Sequence, residues 1–176
     1  MNTGTLIRRI TESEGPAVAA LWNRMVQEIP DGGPLPPGGE ARIGRMLSTA
    51  AWHHQAFCLV AVLDGDVIGY VNGALDHGDG LLPPPMGRLE CLYVVPAHRG
   101  HGTGRALARA AFAHLKACGA GTLRIDVGAD DPRARAYWEG FGFEADTVTL
   151  SRYEDDAAGS GVPGVGPAGP ADPAES

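Results

Sequence analysis

The segment Arg99-Gly100-His101-Gly102-Thr103-Gly104 places three glycines within five residues and runs straight into an apolar pattern of helical spacing. Glycine lets a backbone turn sharply and come close to a ligand. The first amides of a helix have no partner inside it and stand at the positive end of its dipole. A phosphate answers both conditions. Arg99 and Arg105 flank the turn and add positive charge. Taken alone, the glycines fit a phosphate cradle or a tight connection without a ligand. A dinucleotide fingerprint does not fit. Gly100 and Gly102 would be its first glycines and Asp126 lies near the right distance downstream. Arg105, however, occupies the third glycine position, and a loop led by Pro96 separates strand from turn. A nucleoside-triphosphate loop fails because no Gly-Lys-Ser/Thr follows.

Other chemistry-bearing side chains surround this turn in the sequence. Glu90 lies four residues before Val94 on the strand that leads to it, so strand alternation puts both side chains on one face. Tyr93 is expected on the opposite face. Glu90 fits a general base, and it also fits a solvated glutamate or a partner for Arg88 or Arg124. His98 and His101 flank the turn, and His53 and His54 end a helical stretch. None has carboxylates or cysteines at ligand spacing, so loop exposure is expected and no metal site. Cys58, Cys91 and Cys118 are scattered and odd in number, in apolar settings that suit buried reduced thiols.

A chain of 176 residues suits one domain with a hydrophobic core. No apolar run approaches the roughly 20 residues that span a bilayer. The first residues lack the apolar stretch of a signal peptide, so the cytoplasm is the expected compartment. The formal charge is −7, but five acids and no bases lie from Glu154 onward. The remainder holds 16 acids against 14 bases. That balance excludes a basic nucleic-acid surface and says little about a cationic substrate.

The elements that position these groups follow from periodicity and punctuation. Residues 5–10 read as a strand. Ser13 is the expected cap of a helix with Pro16 in its first turn and Val18, Leu21, Trp22, Met25 and Ile29 on one face. Residues 30–39 hold four prolines and four glycines and read as a loop. A second helix is expected over 40–53. Residues 57–63 and 67–74 form a hairpin around Asp64-Gly65-Asp66. Residues 76–87 read as a loop, 88–95 as a strand, 104–118 as a helix stopped by Gly119 and Gly121, and 122–127 as a strand. A helix over 132–140 opens on Asp131 and Pro132, and 143–153 read as one or two last strands. Residues 155–176 form an acidic Gly/Pro/Ala-rich tail expected to be disordered, beyond a domain over 1–154. The fold class is α/β, with antiparallel hairpins followed by a parallel crossover.

The run from Leu89 through Val95, Pro96 and Arg99 to Gly104 resembles the acetyl-CoA motif of the GNAT (GCN5-related N-acetyltransferase) superfamily. That motif is Arg/Gln-x-x-Gly-x-Gly/Ala after a Val-x-Pro strand end, and Arg99, Gly102 and Gly104 fill it. The resemblance covers residues 8–153. It implies a mixed sheet of six to seven strands flanked by about four helices, splayed between the fourth and fifth strands. It implies that the backbone of Leu92, Tyr93 and Val94 pairs with the pantetheine arm. The amides of Gly100, His101, Gly102, Thr103, Gly104 and Arg105, beside Arg99, would hold the pyrophosphate. Acetyl-CoA is the implied co-substrate, and the acceptor a primary amine on a small molecule or a protein amino terminus, attacking directly in a ternary complex. A homodimer is compatible with it. Polyamine-type members carry a Glu where Glu90 stands, which favours Glu90 as the base.

The resemblance breaks near the last helix. Members often carry Asn-x-x-Ala-x-x-x-Tyr-x-x-x-Gly-Phe. Here Ala134, Gly142 and Phe143 fit, Asp131 replaces the Asn, and Trp138 takes the Tyr position. Asp131 and Trp138 are thereby cofactor-side candidates. An indole cannot supply a proton at neutral pH. Tyr137 is one residue off, about 100° around a helix. Either Tyr137 serves as acid or no side chain does. Trp52, His53 and His54 fall on the acceptor side by resemblance. The alternative is a non-catalytic acyl-CoA-binding module or sensor that keeps the cofactor site.

Overall fold

Five strands in chain order build the sheet of the first of two compact units, Met1–Asp126 and Val127–Ser176. The structure is a computed structural model that describes residues 4–29, 33–53, 55–77 and 85–150. In the first unit β1 (Leu6–Arg9) is followed by α1 (Gly15–Glu28) and α2 (Gly39–Thr49). Then come β2 (Ala56–Leu63), β3 (Asp66–Asp76), β4 (Met86–Val94), α3 (Thr103–Ala117) and β5 (Thr122–Ile125). The pairings from β1 to β4 are antiparallel, and β4–β5 is parallel. A parallel neighbour needs a crossover, and α3 supplies it.

Strand alternation sorts the core onto two faces. Cys58, Val60, Tyr70 and Tyr93 face one way and pack with Val18, Trp22 and Leu47 of α1 and α2. On the other side α3 lies on β2, β3 and β4 and buries Leu107, Ala108, Ala111 and Leu115. The His114 ring meets Phe57 there at 4.9 Å between centroids.

Helix ends differ from the sequence expectation for electrostatic reasons. Ser13 is not the cap of α1. Thr11 precedes a 3-10 turn, Glu12–Glu14, and the Glu14 carboxylate accepts from the Thr11 N–H and hydroxyl, each at 2.8 Å. Arg8 donates two further bonds to it and, with those from Thr11, holds the Glu14 carboxyl at about 2. One carboxylate thus ties the end of β1 to the start of α1. α2 stops at Thr49 rather than running to His53. The Arg9 guanidinium donates to the carbonyls of Ala50 (3.0 and 2.8 Å) and His53 (2.6 Å), a cation at the negative end of a helix.

Two irregularities in β4 bear on function. Asn72 pairs with Cys91 while the next residue, Gly73, pairs with Leu89, so Glu90 is an extra residue in a β-bulge. In addition, β5 pairs with β4 only from Met86↔Thr122 to Leu89↔Ile125, whereas β4 runs on to Val94. β4 thus runs five residues past its last pair with β5, Leu89↔Ile125, where β5 itself ends.

In the second unit α4 (Pro132–Glu139) opens on Asp131, whose carboxylate accepts from the Ala134 N–H at 2.9 Å. The expected strands after Phe143 are not formed over the described residues 144–150. Val148 and Leu150 alternate like a strand but are 86% and 91% exposed and join no ladder among the described residues. An alternating pattern becomes a strand only when its backbone groups are paired. The sheet accordingly has five strands among the described residues, not six to seven. Residues 151–153 of that expectation, His54, part of both loops and the acidic tail lie outside the described residues.

Gly73 makes the bulge possible. A Cβ there would stand 2.2 Å from the Arg88 carbonyl oxygen and 2.9 Å from the Phe57 ring. Gly73→Ala is expected to destabilise the domain by about 1–3 kcal/mol in urea denaturation. An unchanged midpoint would mean that β4 shifts freely at this point.

Candidate active site

The turn between β4 and α3 has the geometry of an anion cradle. After Val95 a 3-10 turn, Pro96–His98, leads to Arg99, Gly100 with φ +80° and Gly102 with φ +83°. The helical ladder begins with the Ala106 N–H donating to the Gly102 carbonyl at 2.9 Å. The amides of Thr103 and Gly104 precede that bond and have no partner within the helix. A Cβ on Gly100 or Gly102 would meet nothing within 4 Å, so both glycines face open space and the left-handed backbone alone demands them. His101 and Arg105 are exposed beside them, whereas Thr103 is buried.

Arg99 is oriented differently from what its motif position suggested. Its Nε donates to the Val94 carbonyl at 2.7 Å, and its terminal nitrogen donates to Glu28 at 2.6 Å. The guanidinium lies 5.2 Å from the centroid of the Tyr93 ring. The Tyr93 hydroxyl donates to the other Glu28 oxygen at 2.6 Å. Arg99 thus clamps the cradle to β4 and to the end of α1. Burial first, then this bond to Glu28, pushes the Tyr93 phenol up, which makes it a poor proton donor.

The backbone of β4 presents its edge selectively. Val95 donates to Ile68 at 2.9 Å, and Tyr93 pairs with Tyr70 two residues earlier. By the antiparallel alternation, the polar backbone groups of Tyr93 point to β3, while those of Leu92 and Val94 point to the edge that β5 has left. Of the three residues expected to pair with a pantetheine arm, only Leu92 and Val94 offer free-edge groups.

Glu90 stands where that edge opens, one residue beyond the last β4–β5 pair. The bulge changes its face. Asn72 shares a face with Cys58 and Tyr70, and its Nδ2 donates to Glu90 Oε2 at 2.7 Å. Glu90 therefore lies on the face of Cys91 and Tyr93, not opposite Tyr93, because the extra residue breaks the alternation. The side chain reaches the surface, yet loss of water around it raises its carboxyl above the usual range, against the Arg88 charge and the Asn72 bond that lower it. The Arg88 guanidinium is held at 2.6 Å by Asp126. On the same face burial pushes the Cys58 and Cys91 thiols up to about 12, so both stay protonated and inert as nucleophiles.

In the second unit Asp131 serves as the helix cap described above. Trp138 is 6% exposed and its ring meets those of Tyr137 (5.0 Å) and Phe143 (5.6 Å). Tyr137 also packs edge-on against Phe141 at 5.3 Å. The indole thus takes the buried place in this aromatic group. His53 Nδ1 accepts from the amides of Gln55 and Ala56, which makes it a turn residue, and Trp52 is exposed. No cluster of metal-ligating side chains occurs among the described residues. No helix among them is long and apolar enough to cross a membrane. Sequence reading missed Asn72 and Glu28. Asn72 had a signal, a lone amide in an otherwise apolar strand; Glu28 had none.

Residues 23–143 match the model of the acetyltransferase (GNAT) family, which is most of the chain. The chain belongs to that family. Its members are acyl-CoA-dependent N-acyltransferases, with acetyl-CoA as co-substrate. A mycothiol acetyltransferase of Frankia alni is 30% identical over 112 residues, 61% of this chain and 34% of that protein. The match thus spans about a third of that relative's length. Among solved structures, AAC(6')-Iy in complex with the bisubstrate analog CoA-S-monomethyl-acetylneamine superimposes with a TM-score of 0.69 at 19% identity. The overlap covers 86% of this chain and 99% of that one. A transcriptional regulator from Bacillus halodurans C-125 gives 0.71 at 17% identity, covering 86% and 100%. These two likenesses concern the fold alone.

A substitution in the cradle tests its role directly. Gly102→Val is expected to weaken coenzyme A binding at least about 100-fold by calorimetry, since a β-branched residue resists φ +83° and fills the open space. Retained affinity would place the pyrophosphate elsewhere.

Proposed function

We propose that this chain transfers an acetyl group from acetyl-CoA to a primary amine, with Glu90 as the general base. The observation that carries the reading is the position of Glu90 at the point where β5 leaves β4, on the strand that ends in the cradle. The amides from Gly100 to Arg105 suit a pyrophosphate. The free-edge groups of Leu92 and Val94 suit the amides of a pantetheine arm. When bound, the thioester supplies an activated acyl carbon.

An alkyl ammonium titrates near 10, so the amine has to lose a proton before it can attack. Glu90 receives that proton, directly or through a water, and its raised pKa makes it a stronger base than an ordinary surface carboxylate. The Val94 N–H faces the open edge and suits the acyl oxygen as it gains charge. The C–N bond forms and the C–S bond breaks. The sulfur leaves with a proton from Tyr137 or, with no side-chain acid, from water or from the protonated nitrogen that has just bonded to the acyl carbon. A thioester has a good leaving group, which allows the second route. We read the acceptor as a small-molecule amine. The similarity to the mycothiol acetyltransferase of Frankia alni supports that class over a protein amino terminus.

A second reading, a binding module or sensor without turnover, is favoured by Trp138 in the place of a tyrosine. Thiol release with a panel of amines separates the two. Glu90→Gln is expected to lower kcat about 10²- to 10⁴-fold with coenzyme A affinity unchanged. An unchanged rate removes Glu90 from the mechanism, and absence of turnover with every amine favours the module. Tyr137→Phe is expected to keep kcat within about threefold if no side chain acts as acid, and to lower it about 10²-fold or more if the phenol does.

A further inference from the structure

Asn72 is 3% exposed in the middle of β3, among Cys58, Tyr70 and Cys91. Its Nδ2 has one partner, the Glu90 carboxylate at 2.7 Å. A carboxylate only accepts, which fixes the amide orientation: nitrogen to Glu90, oxygen away from it. The oxygen, Oδ1, is buried and has no hydrogen-bond partner among the described residues. Burying such an acceptor costs about 1–3 kcal/mol. An apolar side chain of the same size would avoid that cost and suit the neighbours better. The amide at this position is therefore unfavourable for folding and useful only to the carboxylate it holds.

The bulge belongs to the same device. Without the extra residue in β4, alternation would turn Glu90 to the α3 face, away from Asn72. Gly73 admits the close passage of the Arg88 carbonyl that the bulge requires. Bulge, glycine and amide together bring one carboxylate to the mouth of the opened edge in one orientation.

We propose that Asn72 is a positioning residue for the acetyl transfer, its amide holding the Glu90 carboxylate in the orientation in which it takes the proton of the acceptor amine. This rests on the reading of Glu90 as base. Among the described residues, few charged or titratable groups act on Glu90. Arg88 lies on its own strand and is shared with Asp126 from the end of β5, and Cys91 is its neighbour. From α1, Arg24 and Glu28 act on Tyr93 instead. Asn72 supplies the one hydrogen bond among the causes that lower the Glu90 pKa, so its removal moves that pKa up.

The test compares the wild type with Asn72→Leu, which keeps size and removes donor and orphan acceptor together. Asn72→Val, a second variant with an uncharged side chain suited to a strand, removes the donor if the leucine form does not fold. The first readout is the Glu90 titration followed by carbon-13 NMR of labelled glutamate carboxyls, assigned with Glu90→Gln. It needs no substrate, so it judges Asn72 even if no amine is turned over, in which case the enzymatic reading fails separately. The expected result is a Glu90 midpoint at higher pH in both variants. Asn72→Leu should have a melting temperature equal to or above the wild type. Its acidic limb of kcat/KM should move upward with the Glu90 midpoint, and kcat should fall about 10- to 100-fold at little change in KM. A Glu90 midpoint that does not move, or a lowered melting temperature with an unmoved pH profile, would overturn the proposal and make Asn72 a structural residue.

Discussion

Backbone groups that leave a ladder still need partners, and β4 carries several past the point where β5 ends. Much of the candidate site can be understood from that need. The Val94 carbonyl is met from within the chain, by Arg99. The edge groups of Leu92 and the Val94 N–H remain for an extended ligand, which would stand in for the missing length of β5. Beyond them the left-handed glycines Gly100 and Gly102 turn the chain into the start of α3, whose first amides lack intrahelical partners.

The arginine of the motif illustrates the division of labour. A cation beside an anion cradle suggests direct attraction, yet this guanidinium is bonded to Val94 and Glu28 and lies over Tyr93. It locks the cradle to α1, and the attraction is left to fixed amide dipoles. The Glu28 carboxylate joins Tyr93 to Arg99, so the end of α1 and the glycine-rich turn share a single anionic post.

Local signals made much of this legible. The Asp64-Gly65 hairpin, the Pro96-led approach to the turn, the start of α4 at Asp131 and the buried Cys58 followed from residue types and spacing, whereas Cys91 is half-buried and Cys118, at the end of α3, is exposed against the expectation. What stayed hidden depended on long-range partners. The Ser13 cap lost to Glu14 because Arg8 and Thr11 converge on one carboxylate. The helix through His53 ended early because Arg9 reaches the Ala50 carbonyl from 41 positions away. Val148 and Leu150 carry a strand's alternation but join no ladder among the described residues. The face of Glu90 was misread for a related reason. Period-two counting assumes an unbroken register, and one extra residue opposite Asn72 and Gly73 reverses it.

The bulge also has a consequence for how this sequence can vary. Gly73 tolerates no side chain while Arg88 passes over it, Asn72 is tolerable in the core only for its carboxylate, and Glu90 reaches that amide only through the extra residue. Change at one of the three removes the reason for the other two. Such positions are strongly coupled and their effects do not add. Drift through this part of the domain is therefore confined to paths that alter the trio together, whereas the exposed surface of α2 is free to diverge residue by residue.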